Sequence, residues 1–137
     1  MDNCLFCKIV TREIPAEIVY ENGRTLAFLD IKPVNPGHVL VIPKEHYADF
    51  VSTPPAVLGE IIAVAQKLAP VALAATGSPA FNIGVNNGRA AGQVVSHMHL
   101  HVMPRYEDDG YKMWGGRDYA PGELAKVAEK IRSQLQG

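Results

Sequence analysis

The stretch Ser96-His97-Met98-His99-Leu100-His101-Val102-Met103-Pro104 places three of the chain's five histidines at every second position. Imidazole can serve as a nucleophile, a proton carrier or a metal ligand near neutral pH, because an ordinary pKa of ~6.5 leaves it largely uncharged there. The alternation with Met98, Leu100 and Val102 is the period of a β-strand, whose side chains point to opposite faces in turn. His97, His99 and His101 then share one face, and the apolar set packs on a core. With a rise of ~3.3 Å per residue, same-face neighbours stand roughly 6.6 Å apart and the outer two roughly 13 Å apart. One metal ion cannot easily take all three, although two adjacent rings could share one. Spacing alone leaves both nucleophilic catalysis and metal-assisted hydrolysis open.

Other candidates are scattered along the chain. Cys4-Leu5-Phe6-Cys7 is a single Cys-x-x-Cys pair, compatible with free thiols, a redox pair or half of a tetrahedral zinc site. Val85 to Gln93 contains Asn86, Gly88, Gly92 and Gln93. Backbone N–H groups of such a glycine-containing turn can cradle phosphate oxygens, and the amide side chains add donors. Asp30 closes an apolar segment, and His38 follows Pro36-Gly37.

These residues need a scaffold. Ala16 to Ile31 reads as a β-hairpin around Asn22-Gly23, the strongest short hairpin signal. Val39 to Ile42 is a third strand, closed by Pro43. Leu58, Ile61, Ile62, Ala65 and Leu68 recur at spacings of three and four, so a helix starts at Pro55. Pro70 predicts a kink or an early end near Leu68, and Gly77 a stop. Pro79 to Gly88 gives a fourth strand running into a turn, and Val94 to Pro104 a fifth. Leu124, Val127, Ala128, Ile131 and Leu135 mark one face of a C-terminal helix. The sum is an α+β domain: a five-stranded antiparallel sheet with a central helix and a C-terminal helix.

Bulk properties narrow the function. The chain has 137 residues, 47% hydrophobic and 20% charged, which suits one globular domain. Thirteen basic against 14 acidic residues give a net charge of −1, which argues against a protein that coats nucleic acid or an anionic membrane. Met1 to Cys4 has an early acid and no basic or long apolar run, so no signal peptide is expected. The apolar stretches read as far short of the ~20 residues of a membrane span. The expected location is the cytoplasm, where thiols stay reduced.

The run His97-Met98-His99-Leu100-His101-Val102-Met103 fits the pattern His-φ-His-φ-His-φ-φ, with φ apolar, and so resembles the histidine triad (HIT) superfamily. Cys4 to His46 and Val85 to Arg105 are similar to its Hint-like, bacterial-type branch. The resemblance spans about residues 4–105 of a single HIT domain over 1–137, with a variable loop and helix at 106–137. It implies a nucleotidyl hydrolase or transferase that cleaves at the α-phosphate of purine nucleoside phosphoramidates or related adenylated compounds. By the resemblance, His99 is the nucleophile and forms a covalent nucleotidyl-histidine, with a backbone carbonyl fixing its tautomer. His101 contacts phosphate or leaving group, and His38 lies near the α-phosphate. Asn86, Gly92 and Gln93 hold the phosphate or leaving group, and Asp30 takes the ribose hydroxyls. Leu5, Phe6, Ile9, Phe28 and Ile31 enclose the base.

The resemblance also implies a structural zinc on Cys4, Cys7, His46 and His97, no catalytic metal, and a homodimer through the central helix and neighbouring strands. Val94 departs from the pattern, since many phosphoramidate-cleaving members carry a serine or threonine there. That departure keeps a dinucleoside polyphosphate hydrolase as an alternative. A metal-dependent hydrolase and a nucleotide-binding protein with weak catalysis are the others. The loop around Trp114 is expected to tune substrate or partner choice.

Overall fold

The computed structural model describes residues 3–136. Met1, Asp2 and Gly137 lie outside the described residues, and with them the two ends of the expected 1–137 domain and half of the tetrapeptide read for a leader. The elements are α1 (Leu5–Val10), β1 (Ile18–Glu21), β2 (Thr25–Leu29), β3 (Val39–Pro43), α2 (Pro55–Thr76), β4 (Ala80–Gly84), β5 (Leu100–Arg105) and α3 (Glu123–Gln136), with a 3₁₀ turn at Arg89–Ala91. The five strands form one antiparallel sheet in the order β1-β2-β3-β5-β4. This is the α+β architecture expected from the patterning.

The Asn22-Gly23 turn closes the hairpin as predicted. The Asn22 side-chain oxygen accepts the N–H groups of Arg24 (3.0 Å) and Thr25 (2.8 Å), so the turn residue supplies its own bracing. β2 and β3 lie at the centre and are buried on both faces, with period two dividing their side chains. Ala27, Val39 and Val41 join Leu100, Val102 and the α2 stripe Ile61, Ala65 and Leu68. Leu26, Phe28, Leu40 and Ile42 face the other way, onto Phe6 and Ile9 of α1. The domain therefore has three layers, and each buried Leu, Ile or Phe contributes roughly 1.5–3 kcal/mol.

Several sequence expectations are corrected. Helix α1 was not anticipated. Cys4 caps it, its sulfur accepting the Cys7 N–H at 3.4 Å, and Leu5, Phe6, Ile9 and Val10 fall at helical spacing. Six residues are too few for that period to stand out. Second, α2 runs unbroken to Thr76 in spite of Pro70. The Pro70 ring is exposed, while Leu68, Ala69 and Ala72 around it stay buried, so packing outweighs one lost hydrogen bond. The helix ends at Gly77, whose φ of +69° and N–H bond to the Leu73 carbonyl (2.8 Å) make the expected left-handed cap. The buried stripe also differs slightly, for Ile62 is 51% exposed. Third, β5 begins only at Leu100. His97, Met98 and His99 precede the ladder, held by the Met98 N–H on the Tyr47 carbonyl at 2.7 Å.

By length and composition α2 could cross a bilayer, with 22 residues and a mean hydropathy of 1.6 over an 18-residue stretch of it, contrary to the reading that apolar stretches were far too short. Its stripe is spent on the sheet, and it carries Glu60 and Lys67. Helix α3 forms as expected, yet no residue on it is fully buried, and Leu124, Ile131 and Leu135 stay exposed. Between β5 and α3 the chain is irregular. It is anchored where Arg105 donates to both carboxylate oxygens of Asp109, at 2.7 and 3.0 Å.

Candidate active site

The histidines meet where β3 and β5 pair, with His101 opposite Leu40 in the ladder. The rings of His99 and His101 have centroids 5.0 Å apart, and those of His38 and His101 5.1 Å. His97 turns away from them, and its ring packs edge-on at 5.0 Å against His46. The run thus splits between two sites, while Met98, Leu100 and Val102 enter the α2-side core as the alternation requires.

Hydrogen bonds fix the tautomers. The His97 carbonyl accepts from His99 Nδ1 at 2.7 Å, so that nitrogen carries the proton and Nε2 keeps its lone pair. The Val34 N–H donates to His38 Nδ1 at 3.0 Å, which leaves the His38 proton on Nε2. His38 Nε2 lies 2.9 Å from His101 Nδ1 and donates to it. The His101 proton therefore sits on Nε2, a buried atom with no hydrogen-bond partner among the described residues. Burial, aided by the nearby rings of His99 and His38, pushes His101 down to about 4. Burial likewise lowers His38, although Asp30, whose Oδ2 is 3.7 Å from its Nε2, pulls the other way. Both rings are neutral at pH 7.

The ligand atoms of Asp30, His38 and His101 lie within 4.8 Å of one another, which raises the metal-hydrolase alternative. The hydrogen bonding argues against a chelate there. Both His38 nitrogens and His101 Nδ1 are already engaged, so the group is a hydrogen-bonded relay with one free N–H.

A cavity of about 540 Å³ opens beside His99 and His101. Leu5, Phe6, Ile9, Phe28, Asp30, Ile31, Asn86 and Gly92 line it, which places all but two of the expected substrate contacts on one surface. Ile31 is 91% exposed and stands at the mouth. Asp30 Oδ1 accepts the Lys32 N–H at 2.8 Å. Gly92 has φ +90°, and a side chain there would be strained and would begin 3.7 Å from the Asn86 amide.

The other two differ. His38 stands behind His101 rather than on the cavity wall. Gln93 is committed to the loop: its Oε1 accepts the Gly88 N–H at 2.9 Å, and its Nε2 donates to the carbonyls of Ala48 (2.8 Å) and Val95 (3.1 Å). In this arrangement Gln93 braces the turn from Gly88 to Gly92 and offers no free donor, because loop geometry that spacing could not show uses it fully. Leu40 and Val95 also line the cavity and were missed, being read only as strand residues.

The second cluster joins Cys4, Cys7, His46 and His97, with ligand atoms all within 4.8 Å. Both sulfurs approach His97 Nδ1, at 3.4 and 3.6 Å, and Cys7 Sγ is 3.4 Å from His46 Nδ1. His97 Nε2 donates to the Pro43 carbonyl at 2.8 Å, so Nδ1 presents a bare lone pair toward the sulfurs. Burial and the neighbouring Cys4 raise the Cys7 thiol above its ordinary value. Two sulfurs and two imidazole nitrogens converging in this way suit a tetrahedral ion of the zinc type.

The family model described as HIT domain matches residues 11–108. The chain belongs to the HIT family. Among HIT relatives it is 51% identical to the uncharacterized HIT-like protein MJ0866 of Methanocaldococcus jannaschii, over 78% of this chain and 82% of that one. It is 37% identical to the adenosine 5'-monophosphoramidase HNT1 of Candida albicans, over 97% and 91%. It is 44% identical to the adenylylsulfatase HINT3 of Arabidopsis thaliana, over 79% of this chain and 55% of that one. In three dimensions this HIT chain matches SMU.412c of Streptococcus mutans with a TM-score of 0.92, at 38% identity over 98% and 87% of the two chains. It matches a Zn-bound histidine triad family protein of Mycobacterium smegmatis with a TM-score of 0.75, at 39% identity over 98% and 96%.

Proposed function

We propose that this HIT-family protein is a hydrolase that cleaves at the α-phosphate of purine nucleoside phosphoramidates or related adenylated compounds through a nucleotidyl-His99 intermediate. The observation that carries the reading is the pair of fixed tautomers: a bare nitrogen on His99 beside a free N–H on His101, at the edge of a nucleoside-sized cavity. The similarity to an adenosine 5'-monophosphoramidase and an adenylylsulfatase supports a nucleotide substrate.

The base lies among Leu5, Phe6, Ile9, Phe28 and Ile31, and the ribose hydroxyls donate to Asp30. This sets the α-phosphorus before His99 Nε2, with Asn86 and the turn at Gly92 on its oxygens. Attack forms the N–P bond and expels the leaving group, which takes its proton from solvent. His101 Nε2–H donates to the phosphoryl or leaving atom as negative charge grows there. Water then attacks phosphorus, releases the nucleoside monophosphate and restores His99. His38 acts through His101 by holding its tautomer.

A zinc ion on Cys4, Cys7, His46 and His97 belongs to the same proposal. With four protein ligands it has no open position and supplies structure rather than chemistry. Metal analysis is expected to find about one zinc per chain. Val94, 92% exposed at the cavity rim, favours dinucleoside polyphosphates as a second substrate class, because it offers no hydroxyl to an amine leaving group. The test is hydrolysis of adenosine 5'-phosphoramidate and of diadenosine polyphosphate, with and without chelator. Activity on the first, unchanged by chelator while zinc stays bound, supports the reading. Activity on neither removes it.

A further inference from the structure

The metal cluster and the nucleotide cavity share helix α1. Cys4 caps it and Cys7 lies within it, while Leu5, Phe6 and Ile9 from the same helix form a cavity wall. Phe6 is the bridge. Its ring sits edge-on to His97 (centroids 5.9 Å, 73°) and to His99 (5.0 Å, 87°), and touches Phe28 at 5.4 Å. One buried ring therefore contacts a residue of the metal cluster, the proposed nucleophile and the proposed base pocket.

The restraints on the two sides differ. The orientation of His99 rests on its bond to the His97 carbonyl. That backbone is pinned without the cysteines, by the His97 ring on the Pro43 carbonyl and by Met98 on the Tyr47 carbonyl. Helix α1 is one and a half turns long, too short to be stable alone, and it joins the sheet by side-chain packing of Phe6 and Ile9. Two of the four ligand residues, Cys4 and Cys7, belong to this weakly held helix, so loss of a bound cation would act on α1.

We propose that Phe6 is a positioning residue that couples metal occupancy at Cys4, Cys7, His46 and His97 to nucleotide affinity, so that zinc tightens nucleoside monophosphate binding while leaving His99 in place. This rests on the nucleotide-site reading above. Coupling between two sites is reciprocal: AMP must tighten zinc by the factor by which zinc tightens AMP.

The experiment uses the full zinc-loaded chain. Zinc affinity is measured by competition with a chromophoric chelator, with and without saturating AMP. AMP affinity is measured by calorimetry on loaded and stripped protein. The expected result is a factor of at least five in both directions, in the range usual for coupled sites. Phe6→Leu should reduce that factor to below two, while both ligands still bind. A zinc affinity unmoved by AMP overturns the coupling and leaves the nucleotide site standing. The wild-type factor persisting in Phe6→Leu overturns the role of Phe6, since coupling through global unfolding would survive the substitution. Absence of AMP binding to the loaded wild type overturns both the coupling and the nucleotide-site reading.

Discussion

His38 illustrates how a residue can act on a reaction that it does not touch. With Nδ1 occupied by the Val34 N–H, it has one proton to offer, and it offers it to His101. His38→Ala should leave the KM within about threefold and lower kcat roughly 10- to 100-fold, because His101 loses the partner that selects its tautomer. Steady-state kinetics on the phosphoramidate would separate the two parameters. The same burial makes His101 sensitive to acid. Its folded-state value of about 4 lies below the ordinary 6.5, so the folded form binds fewer protons than the unfolded one between those values. Its contribution to stability is full above about pH 6.5 and is lost as pH falls toward 4. Thermal melts at pH 7, 5.5 and 4 should show a shallower acid decline for His101→Gln than for wild type. The residue types in this site were legible from alternation and family pattern. The backbone carbonyl expected on His99 is that of His97, whereas the nitrogen states of His38, His97 and His101 were not legible, because they depend on Val34, on Pro43 and on one another across strands.

At the level of elements, α1 carries more of the site than its length suggests. Ile9→Ala should cost about 2–4 kcal/mol, the usual range for such a truncation in a packed core, and chemical denaturation would measure it. Cys4→Ser with Cys7→Ser should lower the melting temperature and raise KM, yet keep kcat per folded molecule within about threefold. A fall in kcat with KM unchanged would show that the metal cluster orients His99 directly. Strands β1 to β3 were legible because Asn22-Gly23 and the β-branched run have strong local preferences. The start of β5 and the passage of α2 through Pro70 were not, since tertiary packing decided both. Gln93 shows the same limit: its amide suggested a substrate contact, and the loop takes all of it.

On the scale of the whole molecule, apolar surface remains uncovered on one side. Ile62 and Val71 of α2 and Phe81 and Ile83 of the edge strand β4 are all exposed. An unpaired edge strand beside an apolar helix face is a template for self-association. We propose that a second copy covers this side, in line with the homodimer that the family resemblance implies. Light scattering should give twice the chain mass of 14.9 kDa. Val71→Asp with Phe81→Asp should shift it to the monomer. An unchanged dimer would place the interface elsewhere. The length of 137 residues and the composition pointed to a single domain but could not show which apolar residues stay outside its core.

Covalent catalysis by His99 is tested most directly by rapid quenching of the enzyme during turnover of adenosine 5'-phosphoramidate, followed by intact-mass and peptide analysis. The expected result is a mass increase of one adenylyl group, mapped to His99 and missing from His99→Ala, which should still bind AMP while losing at least a thousandfold in turnover. Full turnover in His99→Ala, or wild-type turnover with no adduct at any quench time, would contradict it.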